Sequence, residues 1–304
     1  MAGDATTARG LSEIATEAKR ALASADAEPG SEKPDPILVV RDMVRHFGGI
    51  LAVDVEHVEV QRGSITALIG PNGAGKTTFF NLLTGFDQPT RGWWQFDGHE
   101  MSGIASHKTA RMCMVRTFQL TKSLTKLPVI ENMKLGATDQ RGEKWWNALV
   151  PSLWKTQEGE IEARADELLA RFTLGHMRDE YAGALSGGQR KLLEMARALM
   201  TQPRLVMLDE PMAGVNPALK QSLNDHIRGL RDEGMTVLFV EHDMDMVHDV
   251  SDWVIVMAEG RVIAEGTPDQ ISNNPDVIDA YLGSHQGTSL LEDLEPLADL
   301  EDQG

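Results

Sequence analysis

The sequence predicts an α/β fold, with a mainly parallel sheet that helices cover on both faces. Three short apolar runs, at 65–69, 204–208 and 235–240, have the length and composition of buried strands. Helical patterns alternate with these strands, and that alternation is typical of a parallel sheet. Residues 120–200 interrupt it because they read as almost wholly helical. They therefore predict a helical subdomain inserted into the α/β core.

An antiparallel β subdomain is expected ahead of the first buried strand. Residues 37–40 and 50–61 are rich in β-branched side chains, and Gly48 and Gly49 stand between them. Two such segments joined by a glycine turn favour a hairpin. The predicted fold class is thus an α/β core with an inserted helical subdomain and an antiparallel β subdomain.

The composition is that of a globular chain with an acidic surface. Of the 304 residues, 41% are hydrophobic and 25% are charged, and the formal net charge is −17. This charge disfavours nucleic acid as the main partner, because duplex binding normally needs a basic face. No apolar run is long enough to span a membrane, and the N-terminus lacks the pattern of a secretory signal. The single cysteine, Cys113, excludes an internal disulfide, so we expect a chain in a reducing, cytosolic compartment.

Both ends of the chain are predicted to be tails that flank one domain at 35–286. Residues 1–34 combine six acids and four bases with many small side chains, which predicts a disordered tail with at most a transient helix near 11–25. Residues 287–304 contain six acids and no base, which predicts an acidic C-terminal tail.

The predicted strand at 65–69 leads into the first motif with a chemical role. Residues 70–78 fit the pattern G-x-x-x-x-G-K-[ST] between a strand and a helix, which is the pattern of a phosphate-binding loop. Its glycines let backbone N–H groups face a phosphate, and the helix N-terminus adds a positive dipole end. Lys76 suits the β- and γ-phosphates, and the Thr77 hydroxyl suits Mg²⁺. The predicted nucleotide-binding residues of this loop are Gly70, Pro71, Asn72, Gly73, Ala74, Gly75, Lys76, Thr77 and Thr78.

A second motif places two carboxylates at the end of the next buried strand. The apolar residues 205–208 run directly into Asp209 and Glu210. Ligands of α/β sheets bind at the carboxyl ends of the strands. Asp209 is suited to the magnesium shell, and Glu210 is suited to polarise the attacking water as general base. An apolar strand that ends in acids is common, but beside a phosphate loop it becomes specific.

A third motif predicts a second site for an anion. Ser186 is a good N-cap for the helical run that follows, and the two glycines after it expose the amides of the first turn. One nucleotide needs one phosphate cradle, so a second cradle implies another nucleotide or the nucleotide of a partner. A simple capped helix is the alternative. The residues of this motif are Leu185, Ser186, Gly187, Gly188 and Gln189.

Taken together, GPNGAGKTT, LSGGQ and VMLDEP resemble, in their order and spacing, the nucleotide-binding subunit of an ABC transporter. The resemblance covers about 37–283. It implies a P-loop NTPase core, ATP and Mg²⁺ as the bound groups, and two cassettes that sandwich two ATP molecules head to tail. The LSGGQ signature at 185–189 of one cassette would then face the γ-phosphate bound by the other.

The resemblance also implies roles for three single residues. Phe47 matches the aromatic residue that stacks on adenine, although the family more often has tyrosine there. Gln119 resembles the loop glutamine that senses magnesium and the water and faces the membrane partner. His242 resembles the switch histidine, which bonds the γ-phosphate and helps to position the general base. The implied catalytic residues are Glu210, His242 and Gln119, and the implied magnesium residues are Thr77, Gln119 and Asp209.

Four stretches narrow the resemblance to the branched-chain amino acid importer ATPases of the LivG type: 116–119, 211–217, 241–244 and 274–283. They include Asn216, where the broader family generally has aspartate, so the strength of coupling between the two ATP sites stays open. The implied partners are two membrane permeases, a second related ATPase in a heterodimer or possible homodimer, and indirectly an external solute-binding protein. The implied location is the cytoplasmic face of the plasma membrane, as a peripheral subunit.

Other functions remain open beside this one. The solute could instead be urea or a short amide, and the ATPases of exporters, such as lipopolysaccharide export, share much of the pattern. A soluble ABC ATPase that acts on DNA or ribosomes is disfavoured, because the chain is acidic and shows neither long coiled coils nor tandem cassettes. A regulatory cassette without hydrolysis would have lost Lys76, Glu210 or His242, and all three are present.

Residues 145–154 contain three of the six tryptophans. Tryptophan favours interfaces, so this segment could contact the permease or the lipid headgroups. Packing onto the neighbouring predicted helix at 160–172 is the alternative and the commoner role.

Overall fold

The computed structural model describes residues 3–117, 124–138 and 155–282. The strands of these residues form two sheets. The smaller sheet is antiparallel, and its first two strands are the hairpin that the β-branched segments predict. In the order β2–β1–β4–β5, its strands are β2 (Ile50–Gln61), β1 (Pro36–Phe47), β4 (Arg91–Phe96) and β5 (His99–Glu100).

The larger sheet has five parallel strands and one antiparallel edge strand. The three strands predicted from apolar runs lie in it within one residue of their predicted bounds, so that prediction is confirmed. The order is β10 (Arg261–Gly266), β9 (Trp253–Ala258), β3 (Ile65–Ile69), β8 (Thr236–Val240), β7 (Leu205–Asp209) and β6 (Met114–Arg116).

Helices pack on this sheet, and three of them lie in the region predicted to form the helical subdomain. These three are α4 (Val129–Lys134), α5 (Lys155–Arg171) and α6 (Gly187–Leu199). The other helices are α1 (Gly3–Ala23), α2 (Lys76–Leu83), α3 (Ser106–Arg111), α7 (Pro217–Asp232), α8 (Met244–Val250) and α9 (Pro268–Ser272). Among the helices that the structure describes, none combines the length and apolar character that crossing a bilayer requires.

The hydrophobic core has two parts, one on each face of the larger sheet. In β3, Ile65, Ala67 and Ile69 belong to the part that packs against the helical subdomain, whereas Leu68 belongs to the part shared with the smaller sheet. Alternate side chains of a strand point to opposite faces, so an apolar run without polar interruptions is needed where both faces are covered. This double burial explains the continuous apolar runs in the sequence.

The N-terminal segment differs from the disordered tail predicted for 1–34. It forms helix α1, whose Ala15, Ala18 and Leu22 are buried against the domain. These residues recur at helical spacing, so together they make a narrow apolar stripe. The prediction was wrong because small alanines dominate that stripe, and composition alone does not show it. The predicted acidic tail at 287–304 and the tryptophans at 145–154 lie outside the described residues.

Candidate nucleotide-binding and hydrolysis site

The phosphate-binding loop links β3 to α2, at the carboxyl end of a central strand, as predicted. Gly70, Gly73 and Gly75 all have positive φ angles, a conformation that favours glycine. A Cβ on Gly70 would lie 2.0 Å from the Met257 carbonyl oxygen, and one on Gly75 would lie 2.4 Å from the Ala52 carbonyl oxygen. Backbone conformation and close packing thus both require glycine at the two ends of the loop.

Lys76 begins α2, and its side chain is half-buried beneath the loop. Its Nζ donates to the carbonyl oxygens of Gly70 at 2.6 Å and Pro71 at 2.9 Å. Burial lowers the pKa of the Lys76 ammonium, and the nearby Glu210 carboxylate partly offsets this effect. Because the charge of Glu210 acts on Lys76, the loop lysine and the candidate general base lie in one site. The Thr77 hydroxyl follows on the exposed first turn of the helix.

Asp209 ends β7 and is buried together with Arg116 of β6. The Arg116 guanidinium donates to Asp209 Oδ2 at 2.6 Å and to Asn81 Oδ1, on α2, at 2.7 Å. A charge-assisted pair of this kind fixes the carboxylate relative to the phosphate-loop helix. Thr77 and Asp209 supply the hydroxyl and carboxylate oxygens that Mg²⁺ prefers, so the donor set fits that ion.

Glu210 takes a strained backbone conformation at the end of β7. Its φ is 46°, and its N–H donates to the carbonyl oxygen of Val240 on β8 at 3.0 Å. Lys191 of α6 donates from Nζ to the Glu210 carbonyl oxygen at 2.9 Å and to that of Pro211 at 3.2 Å. Positive φ in a glutamate costs free energy and is held by surrounding contacts. These two neighbours supply such contacts for the candidate general base.

His242 follows β8, the strand next to β7, so its loop adjoins the loop of Glu210. Its side chain is 65% exposed, and its Nδ1 lies 3.7 Å from Oε2 of the buried Glu241. The imidazole is therefore open to solvent on the side away from the protein.

Asn216, where the broader family generally has aspartate, is the N-cap of α7, and its side chain accepts from the Leu219 N–H at 2.9 Å. Asparagine keeps this capping bond without the charge.

The signature motif forms the N-terminus of α6. Ser186 and Gln189 form a capping box, in which the Ser186 hydroxyl accepts from the Gln189 N–H and the Gln189 side chain accepts from the Ser186 N–H. Leu185 is buried and anchors this turn to the helical subdomain. Gly187 is exposed with open space around it, as an anion site requires, whereas Gly188 packs closely against α7.

Phe47 lies at the end of β1 and is 48% exposed, so one face of its ring is available for stacking. The Arg45 guanidinium lies 4.5 Å from the ring centre.

Gln119, the predicted loop glutamine, lies outside the described residues. The structure therefore brings Lys76, Asp209 and Glu210 into one site and puts His242 on the loop next to Glu210.

Sequence reasoning assigned no role to three charged residues that support this site: Arg116, Lys191 and Glu241. Arg116 and Glu241 lie within motifs that carry the family resemblance, but their roles depend on contacts with residues remote in sequence. Lys191 lies two positions after the signature, where a basic residue on a helix usually faces solvent. The signal that identifies them is the burial of the Arg116 and Glu241 side chains and the partial burial of Lys191, which the sequence does not show.

Comparison with known proteins identifies the family. The family described as "ABC transporter" matches residues 54–213, which include the phosphate-binding loop, the signature and both carboxylates. The chain belongs to the ABC transporter family. It is an ATPase of that family, and its fold is the predicted P-loop NTPase core. A second family, described as "branched-chain amino acid ATP-binding cassette transporter", matches residues 261–286.

Relatives of known name cover most of the chain. The high-affinity branched-chain amino acid transport ATP-binding protein BraF of Pseudomonas aeruginosa is 42% identical over 250 residues, which are 82% of this chain and 98% of BraF. The corresponding protein LivG of Escherichia coli is 41% identical over 251 residues, with the same coverage. Both alignments leave out about a fifth of this chain.

Solved structures agree with the family. An ATP-binding cassette of an ABC transporter in its ADP conformation has a TM-score of 0.72 and 36% identity, and it covers 82% of this chain and 99% of its own. A nucleotide-free ATP-binding cassette has a TM-score of 0.71 at 36% identity, with coverage of 81% and 98%. The fold of this ATPase is therefore that of a transporter cassette.

Proposed function

We propose that this ATPase drives an importer that takes up branched-chain or related amino acids. The observation that carries the proposal is the match of residues 261–286 to a family described by that transport, beyond the segment that matches ABC transporters in general. The relatives BraF and LivG, named for the same transport, are similar along the whole cassette and support it.

In the proposed cycle, ATP binds with its phosphates against the loop amides of 70–78. The Lys76 ammonium binds the β- and γ-phosphates, and the triphosphate charge opposes the effect of burial on the pKa of Lys76. Phe47 stacks on the adenine. Magnesium, which Thr77, Asp209 and Gln119 would hold, supplies charge neutralisation on the phosphates.

Glu210 acts as the general base for the attacking water. His242 bonds the γ-phosphate and helps to align Glu210, and Gln119 helps to position the water. The proposal is supported by the interaction between Lys76 and Glu210 and by the neighbouring strands that lead to Glu210 and His242.

Closure of a second cassette completes the site. The capped turn at 185–189 exposes amides suited to the γ-phosphate of a partner's ATP, so the cassette works in a head-to-tail pair, as a heterodimer in our proposal. The pair binds two permeases at the cytoplasmic face of the plasma membrane, and closure and reopening drive the permeases between their two states. An external binding protein delivers the solute, which this chain does not touch.

The proposal is tested by capture of the closed complex from native membranes. Glu210→Gln removes the general base, so ATP should hold the sandwich closed. We expect co-purification of two distinct permeases and a second, related ATPase, with ATP and not with ADP. Glu160→Gln, on the exposed surface of α5, is the matched control and should show no ATP-dependent trapping.

The solute is tested by uptake in cells that carry either variant. Leucine uptake should be lost with Glu210→Gln and retained with Glu160→Gln. Retained leucine uptake with loss of urea or amide uptake would contradict the amino acid assignment. Recovery of lipopolysaccharide-export subunits, ribosomes or DNA-processing factors in place of permeases for a small solute would contradict import itself.

A further inference from the structure

The two loops proposed to carry the hydrolytic groups meet at a buried carboxylate. Glu210 directly follows β7 and His242 lies just after β8, and these parallel strands are neighbours. Glu241 directly precedes His242, its carboxylate lies between the two loops, and only 1% of the residue is exposed. Burying an isolated carboxylate is costly, so one that persists there needs strong partners.

Those partners are three backbone N–H groups from the two loops. Glu241 Oε1 accepts from the Met212 N–H at 2.8 Å, in the loop after Glu210. Oε2 accepts from the N–H groups of His242 at 3.0 Å and Asp243 at 3.4 Å. One oxygen thus holds each loop. A carboxylate can accept all these bonds, whereas a glutamine has one oxygen and presents a donor in place of the other.

Two lysines on neighbouring helices bind the same two loops. Lys191 of α6 donates to the carbonyl oxygens of Glu210 and Pro211, and Lys220 of α7 pairs with Asp243 at 2.5 Å. Burial lowers the pKa of Lys191, and the charge of Glu241 opposes that effect. The Glu241 carboxylate, the backbone amides that it accepts from and the two lysines therefore form one hydrogen-bonded network that holds both loops.

We propose that Glu241 is a positioning residue for hydrolysis, which holds His242 at a fixed place relative to the loop of Glu210. This inference rests on the proposed roles of those two residues. It assigns Glu241 no contact with ATP. Loss of the carboxylate frees the two loops to move independently, so the switch histidine and the general base no longer align when the second cassette closes.

The first test is Glu241→Gln in the full chain, assayed for steady-state ATPase activity. We expect kcat to fall about tenfold, while KM for ATP changes by less than about twofold because the phosphate loop is untouched. Glu241→Asp keeps the charge but shortens its reach, so it should fold more readily and lower kcat less. Unchanged kcat in folded Glu241→Gln would overturn the inference.

Glu265→Gln is the matched control for loss of a buried carboxylate. Glu265 is as deeply buried as Glu241, and it accepts from the Gly30 N–H at 2.6 Å and from Trp253 Nε1 at 3.0 Å, both outside the hydrolytic loops. We expect it to lower Tm but leave kcat unchanged. An equal fall of kcat in both variants would show a general structural effect and overturn the positioning role.

The decisive test repeats Glu241→Gln in a His242→Ala background, with single-turnover rates. If Glu241 acts through His242, its replacement lowers the rate little further. A further fall of about tenfold would overturn the inference while leaving the proposed function intact. If His242→Ala itself retains the full rate, then the proposed role of His242 fails, and the inference fails with it.

Discussion

Arg116 shows how a single side chain connects two parts of the site. It is almost fully buried, and it bonds Asp209 on β7 and Asn81 on the phosphate-loop helix, at 2.6 and 2.7 Å. A guanidinium has several donors in one plane, so it can hold both acceptors at once, whereas an ammonium behaves as a point charge. Arg116 therefore fixes the candidate magnesium carboxylate with respect to the loop that binds the phosphates.

We expect Arg116→Lys to lower kcat about tenfold and to raise the Mg²⁺ concentration at half-maximal activity, because Asp209 loses its fixed orientation. The measurement is a Mg²⁺ titration of ATPase activity at saturating ATP. Arg62→Lys is the control, since Arg62 also donates to two side chains, the carboxylates of Asp35 and Asp97, but outside the site. A wild-type titration curve for Arg116→Lys would contradict the role.

At this scale, the sequence predicts motifs but not the residues that hold them in place. The phosphate loop and the strand before Asp209 have local patterns of spacing and hydrophobicity, and both lie where the patterns predict. Arg116 and Asp209 are 93 positions apart in the sequence, and Glu241 and Met212 are 29 positions apart. Such pairs form only when strands become neighbours in the sheet, so a single sequence carries no local sign of them.

At the scale of elements, one aromatic contact joins α5 to α7. Phe172, directly after α5, is fully buried, and its ring centre lies 4.4 Å from that of His226 on α7. Burial lowers the pKa of His226, and the positive charge of Arg171 lowers it further. The neutral imidazole therefore packs between the helical subdomain and the α/β core.

This contact predicts a pH dependence of stability. The pKa of His226 is lower in the folded chain than its unfolded value of 6.5, so the unfolded state binds protons first. The stabilisation is complete above pH 6.5 and is lost as the pH falls through the folded pKa. We expect His226→Gln to show a smaller fall in Tm than the wild type between pH 8 and 5, by roughly 2 °C. His176→Gln, at an exposed position, is the control, and an unchanged pH profile in His226→Gln would contradict the prediction.

Helix α1 was predicted only as a transient helix near 11–25, and its packing onto the domain was not predicted. Ala15, Ala18 and Leu22 form its buried stripe, and Lys19 pairs with Asp252 at 3.5 Å. Alanine buries little area, so a stripe of small residues gives a weak hydrophobic pattern although its helix propensity is high. Strands β3, β7 and β8, which are apolar along their length and buried on both faces, have strong patterns and were predicted within a residue.

At the scale of the whole molecule, the segment that follows α1 joins both sheets. The Lys33 N–H donates to Glu59 of β2 at 2.6 Å, and its Nζ lies 3.3 Å from Glu265 of β10. Both side chains of that ion pair are fully buried, and the ammonium lies 4.4 Å from the centre of the Trp253 ring. The N-terminal residues are therefore part of the fold, although they precede the segment that matches the family.

The buried Lys33–Glu265 ion pair predicts a large effect of its loss on stability. Lys33→Met leaves Glu265 buried without its cation, so it should lower the free energy of unfolding by about 3–5 kcal/mol. The double variant Lys33→Met, Glu265→Gln removes both charges and should recover most of that loss. Denaturant titration measures both, and kcat of the folded single variant should stay at the wild-type value because the pair lies outside the hydrolytic loops.

The control distinguishes this pair from an ordinary surface contact. Lys19 pairs with Asp252, but its side chain is 53% exposed, so Lys19→Met should cost less than about 1 kcal/mol. If Lys33→Met cost no more than Lys19→Met, the segment after α1 would contribute little to stability. A large cost that the double variant reverses would instead show that the N-terminal residues stabilise the cassette by joining its two sheets, without taking part in hydrolysis.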